Sequence, residues 1–144
     1  MIEQAGKKKM LLFSGSSNVE LASKVASNLG TELSTVESKE FASGEIYIRL
    51  NESVRGADCF VLQSHSGDVN KTIMEQLVLV DALKRASAKR ITAVLPFYPY
   101  SRQDKKALPR EPITARLIGD MFIAAGVDSC LLYTSDAADE WWWG

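Results

Sequence analysis

The chain has 144 residues, 46% of them hydrophobic and 24% charged, and a formal net charge of −1. Those values fit one globular domain with room for a sizeable core. They exclude a whole-chain basic footprint for nucleic acid, and no apolar run reaches the length of a membrane span.

The start lacks the apolar core of a secretory signal, and residues 1–9, ending in Lys7-Lys8-Lys9, read as a solvated lead-in. Cys59 and Cys130 show neither metal nor redox spacing, which fits a reducing, cytoplasmic setting. Met10 to Phe13 is a short apolar strand. Ser17 and Glu20 have the spacing of a capping box, so a helix is expected to begin there, with Leu21, Ala22, Val25, Ala26 and Leu29 on its apolar face and Gly30 at its end. The small-residue turn from Ser14 to Asn18 lacks the Lys of a P-loop and the glycines of a dinucleotide fingerprint, so it reads as a plain strand-to-helix turn.

Thr31 to Val36 is consistent with a second strand, Ser38 to Glu45 carries turn chemistry, and Ile46 to Leu50 alternates as a strand. Phe41 beside Ser43, Gly44 and Glu45 leaves two readings open. One is an aromatic platform with hydrogen-bonding groups, the parts a purine site needs; the other is a hairpin anchored by one buried Phe. After the polar turn Asn51 to Gly56, Cys59 to Leu62 is a buried strand. Gln63 to Asp68 closes it and leads into a helix from about 70 to 87. Ile73, Met74, Leu77, Val78, Val80 and Leu83 supply the apolar stripe of that helix, and Glu75, Asp81, Lys84 and Arg85 its wet side. His65, the single histidine, has no companion at metal spacing and reads as a turn or packing residue.

Arg90 to Leu95 is a buried strand. Pro112 to Ala125 reads as a helix with Pro in its first turn, Gly126 beyond its end, and Ile113, Leu117 and Met121 repeating every fourth residue. The loop between them brings Arg102, Lys105, Lys106 and Arg110, with Asp104 and Glu111 as the only counter-charges. A cationic loop that leaves a strand's carboxyl end and feeds a helix amino terminus suits a polyphosphate; a solvated charged loop is the alternative. Strands alternating with helices give one α/β domain, a largely parallel sheet flanked by helices.

Three groups of residues carry a resemblance. They are Asn51 to Gly56; Met74 to Leu77 with Asp81 to Ala86; and Tyr100-Ser101-Arg102-Gln103-Asp104-Lys105-Lys106 with Arg110 to Ala115. Together they resemble the amino-terminal domain of ribose-phosphate diphosphokinase, over residues 10–128. The resemblance implies a phosphoribosyltransferase-like fold, one of two domains, in a cytoplasmic homo-oligomer. Its activity would be Mg²⁺-dependent transfer of the diphosphoryl group of ATP to ribose 5-phosphate, for nucleotide biosynthesis. It implies that Arg102 and Gln103 contact ATP, with Asp104, Lys105 and Lys106 in the same loop. Phe41, Ser43 and Glu45 would receive the adenine of a neighbouring subunit. Arg55 and Arg110 would belong to a regulatory phosphate site, or else form surface salt bridges. Ser43 stands where the family commonly carries Asn or Asp, and Ala107 where some members carry an acid. The family's catalytic groups, and a segment that helps bind metal, lie beyond this point of resemblance. A non-catalytic, synthetase-associated subunit is the alternative function.

Residues 129–144 depart from the family. Cys130 to Glu140 resembles translated adapter sequence and three tryptophans follow it, so a non-native tail in place of the second domain is expected, and with it an inactive chain. The alternative is a genuine ending in which Cys130 to Thr134 adds one more strand.

Overall fold

Short runs of aliphatic residues with polar turns between them build one parallel sheet, described in a computed structural model that covers residues 9–132. The strands are β1 (Met10–Ser14), β4 (Asp58–Leu62), β5 (Arg90–Leu95) and β6 (Ser129–Leu132), hydrogen-bonded in that spatial order with every neighbour parallel. Between them in sequence come α1 (Val19–Asn28), the antiparallel hairpin of β2 (Val36–Glu40) and β3 (Ile46–Leu50), α2 (Val69–Arg85) and α3 (Thr114–Ala125). Period-two alternation splits the strand side chains between two faces. Phe13, Val61, Ala93 and Leu95 point into the main core with Leu79 and Leu83 of α2 and Ile118 and Phe122 of α3. Leu12 and Leu62 point the other way, onto Ala22 and Ala26 of α1.

Several elements differ from the sequence expectation, each for a local reason. Thr31 to Val36 is not a strand: only Leu33 forms a bridge, parallel to Leu12, before the chain turns away. The strand is Val36–Glu40 instead, a polar segment recruited by the alternating β3, with Glu37 opposite Arg49 and Lys39 opposite Tyr47. The N-cap of α1 is Asn18, whose Oδ1 accepts from Leu21 N at 3.1 Å, and not Ser17. Ser17 is engaged elsewhere, its hydroxyl 3.0 Å from Ser66 Oγ. α3 begins two residues later than expected, because Ile113 is non-helical and caps the helix without a side-chain bond. Gly126 ends it at φ +123°, where a Cβ would lie 2.6 Å from the Lys84 side chain.

The buried faces of the long helices match the expected ones only in part: on α2, Ile73, Leu77, Val80 and Leu83 are buried as expected. Met74, expected in the core, is 48% exposed, whereas Glu75, expected on the wet side, is 7% exposed. On α3 the buried residues are Ala115, Ile118, Gly119 and Phe122, and Ile113 and Leu117 are exposed. Ser129–Leu132 pairs with β5 in continuous register, so the sheet runs past the boundary expected at Asp128. Asp128 itself prepares that pairing, accepting from Ile91 N at 2.8 Å through Oδ2. The remainder of the expected tail, and most of the lead-in, lie outside the described residues.

Candidate functional site

All four strands of a parallel sheet present their carboxyl ends on the same side, and here two loops meet over that end. One is the turn Gln63–Asp68 between β4 and α2; the other runs from Pro96 to Ile113 between β5 and α3. They enclose an open cleft of about 470 Å³, lined on one side by Gly67 to Asn70 and on the other by Phe97, Tyr100, Arg102 and Gln103.

The second loop is held at its root by aromatic residues. Tyr98 is 1% exposed, and its hydroxyl donates to Ala115 O at 2.8 Å, tying the loop to α3. Burial raises its phenol pKa further, so it stays a neutral donor. Tyr100 adopts a left-handed backbone at φ 61° and donates its hydroxyl to Asn70 Oδ1, which ties the loop to the first turn of α2. A single 3₁₀ turn, Ser101–Gln103, follows and carries Arg102 and Gln103 into the cleft wall. Glu111 does not neutralise the loop's cations: its Oε1 accepts from the backbone N–H groups of Ala107 and Leu108, at 3.0 and 2.6 Å. Among the described residues, neither Arg102, Lys105, Lys106 nor Arg110 forms an ion pair. Arg102 and Gln103 line the cleft; Lys105, Lys106 and Arg110 are exposed beyond it, and Asp104 is half-buried. Arg55 is exposed in the turn that enters β4, at the amino end of the sheet, so one chain does not bring it to Arg110.

Phe41, Ser43 and Glu45 sit together at the tip of the β2–β3 hairpin, apart from that cleft. Phe41 is 48% exposed, which removes the reading of a buried anchor. Its ring meets Tyr47 edge-on at 6.3 Å, and Lys39 Nζ lies over both rings, at 5.6 and 4.8 Å. Ser43 Oγ donates to Glu45 Oε1 at 2.8 Å and accepts from Glu45 N at 3.4 Å. Ser43 and Glu45 border a separate depression of about 410 Å³ against Met74 and Val78 of α2. The hairpin is braced to α2 by Lys71 and Glu40, 2.7 Å apart.

A buried polar network behind the first loop was not read from the sequence. His65, Gln63, Gln76, Thr72 and Glu75 are all buried. Gln76 Nε2 donates to Val61 O, so its Oε1 accepts from His65 Nε2–H at 2.7 Å, and His65 Nδ1 faces the Thr72 hydroxyl at 3.0 Å. Burial lowers the His65 pKa to about 4, outweighing the bond to Gln76 and the nearby Glu75, which both pull it upward. The packing role expected for His65 is the one it has. The available signal for the rest was helical spacing: Thr72, Gln76, Leu79 and Leu83 recur on one stripe of α2, with Glu75 beside it.

Neither cysteine is poised for chemistry, since burial pushes the thiols of Cys59 and Cys130 up to about 11 and about 12. Among the described residues no group of three His, Cys, Asp or Glu could hold a metal ion. No helix of the described residues is long and apolar enough to cross a membrane.

Residues 10–126 match the family model of the N-terminal domain of ribose phosphate pyrophosphokinase. The chain belongs to that family. It is 60% identical over 121 residues to the ribose-phosphate pyrophosphokinase of Corynebacterium glutamicum, covering 84% of this chain and 37% of that protein. It is 55% identical over 130 residues to the enzyme of the same name from Streptomyces avermitilis, covering 90% of this chain and 40% of the relative. The crystal structure of phosphoribosylpyrophosphate synthetase from Mycobacterium smegmatis superposes with a TM-score of 0.88 at 50% identity, over 92% of this chain and 45% of that one. The pyrophosphokinase family is the one the sequence resembled, and its parallel α/β fold is the one observed. The chain therefore spans less than half the length of these relatives.

Proposed function

We propose that this domain holds ATP for the formation of 5-phosphoribosyl 1-diphosphate from ribose 5-phosphate, as one of the two domains that build such a site. The observation that carries the reading is the placement of Arg102 and Gln103 in the wall of the cleft at the sheet's carboxyl end, with Arg102 in no ion pair among the described residues. An unpaired guanidinium fork, next to a helix first turn, suits the oxygens of a polyphosphate. Lys105 and Lys106 extend the positive field outward and lower the cost of gathering charge on the transferred group. Asp104 orients the loop around the nucleotide.

Phe41, Ser43 and Glu45 stack and hydrogen-bond the adenine of a nucleotide bound by a neighbouring subunit in a homo-oligomer. Their exposure at a braced hairpin tip, outside this chain's own cleft, supports that division of labour. Arg55 and Arg110 take a regulatory phosphate across such a contact, since one chain places them apart. Mg²⁺ belongs with the bound triphosphate, and its chemistry is charge neutralisation. On this reading the reacting groups come from a second domain. The 144-residue polypeptide then binds ATP without turning it over.

Calorimetric titration of ATP into the chain tests the reading. Arg102→Ala is expected to weaken ATP about 10- to 100-fold, the ~1.5–3 kcal/mol of a charged hydrogen bond. Unchanged affinity would remove the cleft as the site.

A further inference from the structure

We infer that Glu75 is a positioning residue: through Gln63 and the Ser17–Ser66 pair it fixes the wall of the cleft that begins at Gly67. The inference rests on the cleft being the nucleotide site, and deepens that reading by naming what holds it in shape.

Glu75 lies within α2 and does not line the cleft. Its Oε1 accepts three hydrogen bonds, from Ser16 N at 2.8 Å, Ser16 Oγ at 3.0 Å and Gln63 Nε2 at 2.6 Å. Gln63 is fully buried at the end of β4; its Nε2 also donates to Thr72 O, and its Oε1 accepts from Ser17 N at 3.1 Å. Ser17 then reaches the wall directly: its hydroxyl lies 3.0 Å from Ser66 Oγ and accepts from Ser66 N at 3.4 Å. The next residue, Gly67, is the first to line the cleft. A continuous chain of bonds thus joins a buried carboxyl to an exposed ligand-facing turn.

Two features indicate that the chain serves shape and not packing alone. Burying a carboxyl costs free energy that an apolar side chain at the same place avoids, so a purely packing position favours Leu or Met. Also, the exit of β1 is shaped around the Gln63 amide: a Cβ on Gly15 would lie 2.2 Å from Gln63 Nε2. The turn is held from its other side by His65, which bonds Thr72 and Gln76 at φ 56°. Ser66, Gly67 and Asp68 are exposed; Asp68 is fixed as the N-cap of α2, its Oδ1 accepting from Lys71 N at 3.2 Å, and the ties through Ser66 pre-organise the turn that leads into it before a ligand arrives.

The test compares ATP affinity and amide NMR spectra of the full chain with those of Glu75→Ala, Glu75→Gln, Ser66→Ala and the double variant Glu75→Ala/Ser66→Ala. Glu75→Ala is expected to weaken ATP about tenfold and to shift the Gly67 and Asp68 amides, whereas Glu75→Gln, which keeps an acceptor for Gln63, stays within about threefold and restores them. Ser66→Ala is expected to cost about threefold alone and nothing more on top of Glu75→Ala, because both cut one chain. Wild-type affinity in Glu75→Ala, or full additivity in the double variant, overturns the inference. If Glu75→Ala does not fold, Ser66→Ala at the exposed end carries the test, and wild-type affinity there overturns it equally. Arg102→Ala separates the two readings. If it binds ATP as tightly as wild type, the nucleotide placement falls, and the Gly67 and Asp68 amides still report whether Glu75 sets the wall.

Discussion

The two walls of the cleft are built on opposite principles. The wall from Gln63 to Asp68 is backed by a buried network in which Gln63 and His65 bond Glu75, Gln76 and Thr72 of α2, while the buried Ser64 Oγ has no hydrogen-bond partner among the described residues. The wall from Tyr100 to Gln103 is anchored by aromatic side chains at its root, and neither Arg102 nor the cations that follow it form an ion pair among the described residues. The first wall spends its polar groups on shape, so few remain for a ligand. The second keeps its charges free, and therefore depends on Tyr98 and Tyr100 for order. A site for a highly charged ligand needs both properties, and this fold assigns them to different strand exits.

Breaking the anchor of the exposed wall should have the largest effect. Tyr98→Ala empties a buried aromatic position between the sheet and α3 and is expected to cost about 3–5 kcal/mol, read as a drop in the urea midpoint. An unchanged midpoint would show that the loop is not rooted there.

The buried wall can be challenged by pH instead. His65 is neutral in the fold because its pKa is lowered from 6.5 to about 4, chiefly by burial. The unfolded chain takes up its proton near 6.5 and the folded chain only near 4. The network's contribution is therefore complete above pH 6.5 and is lost as pH falls toward 4, by on the order of 3 kcal/mol. Urea titrations across that range should show the loss in wild type and not in His65→Leu; a flat wild-type profile would contradict a neutral buried imidazole.

The smallest stability effect belongs to the free cations. Lys105→Ala and Lys106→Ala are expected to leave folding stability within about 0.5 kcal/mol, since neither side chain is buried or paired, while weakening ATP measurably and more at low salt than at high. A stability loss above that range would mean these side chains hold the loop and not a ligand.

The legible and illegible parts of the site divide along the same line. The cationic loop was readable because its residues are consecutive and their chemistry does not depend on which face they occupy. Its position at the carboxyl end of a parallel strand followed from β5 and α3 flanking it. The network was not readable, because its members are far apart in sequence: Ser16 meets Glu75 across 59 positions and Ser17 meets Gln63 across 46. Charge misled as well. Glu75 looked like a wet-side residue and Met74 like core, yet α2 turns Glu75 toward Ser16 and Gln63 and leaves Met74 beside the hairpin tip. The polar segment Val36–Glu40 likewise became a strand only because β3 offered it a partner.

By itself, the sequence determined the alternation of strands and helices, the parallel sheet and the cationic loop after β5, because hydrophobic periodicity and a contiguous run of charge are local properties. Only the tertiary structure decided that α2 buries Glu75 and not Met74, that Phe41 stands exposed at a tip outside the cleft that Arg102 lines, and that a carboxyl within a helix is tied to the turn facing the cleft. Those are matters of pairing between distant segments, where desolvation is offset by hydrogen bonds that exist only once the sheet has brought the strand exits together.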